Sequence, residues 1–259
     1  MANHLIKRLA GATVLAIVVT ACGTSPEMVR QADREFQSIR DTAPLVKDRA
    51  TIDYVACVTN AIIDVLEGDD ADMFWELVIV DHPMIQAQAM AGGKVIVYSG
   101  ILSVTANQDQ LAAVIGHEIA HVTENHTGQK KAQYEAAGFA IDVGASILGG
   151  GYYGQTAAAG SALSQLATYG VLYPFSRGME SEADIVGLDF MAKAGFDPRE
   201  SANLWQNMDA KKESKVPAYM TTHPSADTRI DDLVSRYPKA LALYNQAQAE
   251  GRYPDCRQP

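Results

Sequence analysis

The stretch AAVIGHEIAHVTENHTG (112–128) places His117, Glu118, His121, Glu124 and His126 within ten positions. Imidazole nitrogens and carboxylate oxygens bind divalent zinc, and a carboxylate beside such an ion can also carry a proton. At about 100° per residue, His117 and His121 lie about 40° apart on a helix and project side by side from successive turns. Glu118 falls between that pair and an apolar sector formed by Leu111, Ile115, Ile119 and Val122. This is H-E-x-x-H, two ligands at i and i+4 with a carboxylate next to them. His126 lies about 140° or more from both other histidines on a straight helix and cannot share their ion. It reads as a structural histidine, hydrogen-bonded in the core or at the helix end.

A hydrolytic zinc site takes about three protein ligands and keeps one position for water. The third ligand must therefore come from elsewhere: His82, His223 or a downstream carboxylate. GMESEADIVG (178–187) is the strongest source, because Glu180 and Asp184 are four apart and share one helix face. Two stacked carboxylates repel unless a cation stands beside them. A metal with its imidazoles supplies that cation, with Glu180 as third ligand and Asp184 accepting a ring N–H from a ligating histidine. Gly187 on the same face would let this helix approach another closely. Two other readings of the stretch stay open: a solvated acidic face, or Glu182, on the opposite side, as the ligand. His82, before a proline, reads as a strand-end turn residue.

Elements of both kinds must position these residues. SPEMVRQADREFQSIR starts a helix with Ser25 as cap and Pro26 at its first position. ATIDYVACVTNAIIDVLEG reads as a second helix ending at Gly68, while MFWELVIVDHP and GGKVIVYSGIL read as strands. Asn107 with Gln110 can cap the helix of the cluster, and Gly128 can end it. Residues 129–177, rich in Ala, Gly, Ser and Thr, read as a packed helical hairpin or a lid over a cleft. Three further helices follow, in GMESEADIVGLDFMAKAG, PRESANLWQNMDAKK and SADTRIDDLVSRYPKALALYNQAQ. The expected class is α+β, mostly helical, with one small sheet.

Composition sets outer limits. The 259 residues are 47% hydrophobic and 20% charged with net charge −10, which fits a globular fold and gives no sign of nucleic-acid binding. MANHLIKRLAGATVLAIVVTAC has the form of a secretory signal peptide over 1–21, too short in its apolar run to span a membrane. VTAC resembles the bacterial lipobox, which implies cleavage before Cys22 and acylation there; several acyl chains make a stable anchor. Residues 22–45 then form an anchor segment and helix, and 46–259 the main domain. In an oxidising envelope, Cys57 and Cys256 are candidates for a disulfide; a buried free thiol on an apolar helix is the alternative for Cys57.

H117-E118-I-A-H121, E180-S-E-A-D184 and TTHPSADTRI together resemble the M48 zinc metallopeptidases, the Ste24/HtpX/Oma1-like group. They are most similar to its bacterial envelope lipoproteins of the BepA/LoiP-like kind. AMAGGKVIVYSGIL also resembles the family's strand before the active helix, with Ala91 where proline is common; the likeness covers roughly residues 70–235. The resemblance implies a zincin-like (gluzincin) domain with one Zn2+ held by His117, His121 and Glu180, a metal-activated water, and Glu118 as general base. It brings His223 near the metal, either to stabilise the intermediate or to hold the site closed. Lys94, Val95, Ile96, Val97 and Tyr98 would be a sheet edge that pairs with extended substrate. The implied role is cleavage of misfolded or misassembled envelope proteins; Gly23 rather than an aspartate after Cys22 leads to the expectation of an anchor at the periplasmic face of the outer membrane. An envelope chaperone or assembly factor with a self-inhibited zinc site is the alternative.

Overall fold

The structure, a computed structural model, describes residues 24–133, 175–212, 218–223 and 228–259. The signal peptide, Cys22, His4 and residues 134–174 of the hairpin expected over 129–177 lie outside the described residues. Among those described, no helix is long and apolar enough to cross a membrane.

Helix α1 (Pro26–Thr42) opens on Ser25, whose side chain accepts from Met28 N, and α2 (Arg49–Ile63) on Asp48, which accepts from Thr51 N. Three strands follow: β1 (Glu76–Val80), β2 (Ala87–Met90) and β3 (Lys94–Tyr98). Helix α3 (Gln108–Thr123) carries the cluster, and α4 (Arg177–Lys193) carries Glu180. Helices α5 (Glu200–Lys212), α6 (Ala218–Thr222) and α7 (Arg229–Ala249) complete the chain.

The sheet order is β1-β3-β2, with β1 parallel and β2 antiparallel to β3. Lys94 to Tyr98 is therefore the central strand, hydrogen-bonded on both flanks. This corrects the expectation of a free edge there: the strand is flanked by β1 and β2, and its residues Lys94 to Val97 are buried. Among the described residues the outer strands are β1, which Leu45 bridges at Val80, and β2. The sequence of β2, AQAM, lacks β-branched and aromatic residues and gives no strand signal; pairing with β3 through the hairpin imposes the conformation. Gly92 (φ +78°) and Gly93 (φ +77°) make that hairpin possible.

α1 lays Phe36 on one sheet face, against Val78, Val80 and Ile96. Lys94 fastens it further, paired with Glu76 and 3.9 Å from Asp33. The larger core lies on the other face, where α3 packs against α2, α4, α5 and β2. Asn107 caps α3 by accepting from Gln110 N at 2.9 Å, but Gln110 reaches back to Ala106 N at 2.7 Å, one residue earlier than a capping box requires. α2 ends at Ile63, short of Gly68, whose positive φ opens a 3-10 turn instead. Cys57 and Cys256 are joined by a disulfide with Cα atoms 5.6 Å apart, which ties the tail to α2.

Candidate metal centre

Two glycines decide how α3 and α4 meet. A Cβ on Gly187 would stand 2.6 Å from His117 N and 2.7 Å from Gly116 C; one on Gly116 would stand 2.7 Å from Gly187 O. Without side chains at the crossing, the backbones touch. The first turn of α4 then brings Glu180 against the imidazoles of α3.

His117, His121, Glu180 and His223 each aim one ligand atom into a common point, all within 4.8 Å of one another. His117 Nε2 is 3.0 Å from His121 Nε2 and 3.5 Å from Glu180 Oε2. His223 Nδ1 lies 3.2 Å from His117 Nε2 and 3.1 Å from Glu180 Oε1. All four are buried, Glu180 to 3% exposure. Burial pushes the Glu180 carboxyl up, but hydrogen bonds from His117, His121 and His223 outweigh it and hold it far below the usual range. Burial lowers His117, and bonds to Asp184 and Glu180 reverse that, raising it to about 9; burial and its charged neighbours leave His121 well below the usual range.

The outward nitrogens are also held. His117 Nδ1 is 2.9 Å from Asp184 Oδ1, and Arg229 Nη2 donates to the same oxygen at 2.6 Å. Arg229 stacks 3.5 Å over the Trp205 ring and lies 3.4 Å from Glu180 Oε2. Sequence reasoning missed Arg229; its signal was a lone cation in TTHPSADTRI, six residues after His223. It also missed Phe175, which stacks on His121 with ring centroids 4.0 Å apart, and Tyr219, which stacks on His223 at 4.6 Å. His82 sits in an exposed turn, its Nδ1 accepting from Met84 N, away from the cluster.

Glu118 is 2% exposed. Its Oε2 accepts from Ala89 N at 3.3 Å, while Oε1 has no hydrogen-bond partner and lies 3.4 Å from His223 Nε2. Burial first, then the Glu118 charge, push the Tyr219 phenol well above its usual range. Three convergent nitrogens and a carboxylate, with an unpartnered Glu180 oxygen among them, are a donor set suited to zinc.

The sequence profile of peptidase family M48 matches residues 50–237. The chain belongs to that family. M48 members are zinc metallopeptidases. The chain is 35% identical over 215 residues to the mitochondrial metalloendopeptidase OMA1 of Schizosaccharomyces pombe, covering 82% of this chain and 61% of that protein. It is 28% identical over 225 residues to the beta-barrel assembly-enhancing protease of Yersinia pestis, covering 83% and 46%. It is 31% identical over 179 residues to human OMA1, covering 65% and 33%. This M48 chain thus spans from a third to three fifths of the length of those curated relatives.

In the M48 chain a cleft of about 580 Å³ opens beside the cluster, reaching Glu118, His121 and His223. One wall is β2 with Gln88, Ala89 and Met90; the facing wall is α1, with Gln31 and Glu35.

Proposed function

We propose that the chain is a zinc-dependent endopeptidase that cleaves misfolded or misassembled proteins of the bacterial envelope. His117, His121 and Glu180 would hold the ion, and Glu118 would be the general base. Zinc in that position supplies Lewis acidity toward a substrate carbonyl and toward the attacking water. Glu118 Oε1, buried and unpartnered, takes the proton of the water and hands it to the leaving amine. Asp184 and Arg229 keep His117 turned inward while the proton moves. Ala89 lies on the outer edge of β2 with its N–H bonded to Glu118 Oε2, so an extended chain added to β2 runs past the base. Backbone pairing of this kind selects extended segments rather than particular side chains, which suits unfolded substrates. The lipobox-like VTAC and the resemblance to a bacterial beta-barrel assembly-enhancing protease support an envelope location.

The observation that carries this reading is the buried Glu118 carboxylate beside the cluster, with Oε1 lacking a hydrogen-bond partner; a purely structural metal site has no use for it. Glu118→Gln should retain zinc and lower casein cleavage by about 10²- to 10⁴-fold. Continued cleavage at the wild-type rate would remove Glu118 from its role.

A second reading, an assembly factor with a self-inhibited site, draws on His223. Its Nδ1 stands inside the donor set, where a substrate carbonyl would otherwise bind. If His223 closes the site, His223→Ala raises peptidase activity. A large drop would instead make it a stabiliser of the reaction's developing charge.

A further inference from the structure

Three carboxylates stand in ESEAD, and the sequence reading uses only two of them. The structure assigns the third a task. We propose that His126, held by Glu182, is a positioning residue that fixes the tautomer and ring orientation of His121; the inference rests on His121 being a zinc ligand.

A straight helix would point His126 away. α3 instead stops at Thr123, and Asn125 takes a left-handed conformation at φ +52°. A new helical segment begins at His126. The break swings the His126 ring beneath His121, with centroids 4.9 Å apart at 70°. His126 is fully buried. Its Nδ1 lies 2.9 Å from His121 Nδ1, and its Nε2 lies 3.2 Å from Glu182 Oε2.

The proton positions follow from these contacts. His121 turns Nε2 into the donor set, so that nitrogen must keep its lone pair to bind metal. The His121 proton is then on Nδ1 and donates to His126 Nδ1. His126 must carry its own proton on Nε2, where it donates to Glu182. The result is a carboxylate–imidazole–imidazole chain ending on the ligand, matching the Asp184–His117 pair on the other ligand. Glu182 can do this only from the side of α4 opposite Glu180, which is where it stands. Phe175, stacked on His121 with Lys130 Nζ 4.4 Å over its own ring, holds the imidazole from the other direction. A histidine that only filled space would not need both nitrogens engaged.

The test uses the full chain with four variants: His126→Leu, His126→Gln, Glu182→Ala and, as control, His121→Ala. Zinc affinity is measured by competition with a chromophoric chelator, and the cobalt-substituted protein gives the visible d–d spectrum. His126→Leu should weaken zinc by about 10- to 100-fold and shift the cobalt bands. His126→Gln should restore most of the affinity, because its amide oxygen accepts from His121 and its NH2 donates to Glu182. Glu182→Ala should weaken zinc by a smaller factor, since that side chain is 52% exposed and partly solvated. Exposure also lets this variant fold if His126→Leu does not. Wild-type affinity and spectrum in His126→Leu or in Glu182→Ala would overturn the proposal, as would equal losses in His126→Leu and His126→Gln. Full zinc binding by His121→Ala would instead remove the ligand assignment beneath it.

Discussion

The two walls around the donor set are built from opposite materials. On the helical side α3, α4 and α7 interlock: Gly116 meets Gly187, Asp184 meets His117, and Arg229 is clamped between two carboxylates and Trp205. His117, Glu180, Trp205 and Arg229 are buried there, and Asp184 is nearly so. On the cleft side, β2, an outer strand of the sheet, and α1 together line an open cleft. Ion binding needs ligands that cannot rearrange, so it belongs where packing is tightest. Accepting a polymer would need backbone groups that can pair and room beside them, so the proposed substrate edge lies where the sheet ends. Glu118 stands at the boundary, one oxygen on β2 and the other toward the ligands.

If that division is right, damage to the helical wall should cost stability and metal together. Arg229→Met should have the largest effect, because it leaves Glu180 and Asp184 buried without their cation. A loss of about 3–5 kcal/mol of unfolding free energy is expected. It should be greater in the zinc-free protein than in the loaded one, since zinc puts a positive charge back beside Glu180. Urea unfolding with and without chelator measures both, and equal losses in the two forms would break the comparison.

Gly187→Ala should come next. Its methyl would fall 2.6 Å from backbone N of His117 and must part the helices. About 1–3 kcal/mol of stability should go, and zinc content should fall as Glu180 withdraws. Gly178→Ala on the same helix is the control, because its Cβ would meet nothing closer than Ser176 Oγ at 3.9 Å. Similar zinc loss in both variants would show that the crossing is not what places Glu180.

The smallest effect should come from the cleft wall. Ala89→Pro removes the N–H that bonds Glu118 Oε2 in the resting site and that substrate would take once Glu118 turns to the water, a change edge strands tolerate. Measured in the Glu118→Gln background, where substrate is bound but not cut, Kd for an unfolded casein fragment should rise about 2- to 10-fold, the weight of one hydrogen bond. Zinc affinity and unfolding temperature should stay put. Unchanged Kd would move substrate away from β2.

The amino-acid order alone determines whatever depends on neighbours along one helix. The four-residue spacing of His117 and His121, and of Glu180 and Asp184, sets which side chains share a face. The caps at Ser25 and Asn107 set where two helices begin. Gly187 announced a close crossing before its partner was known. Tertiary structure decided the rest, because it depends on residues far apart in the chain. AQAM becomes a strand only by pairing with β3, and the apolar strand that looked like an edge is central because β1 and β2 cover both its sides. One left-handed residue, Asn125, re-aims His126 by a turn that helical periodicity cannot foresee. Arg229 acquires its meaning only when α7 packs on α4, since a buried cation is defined by the carboxylates that surround it.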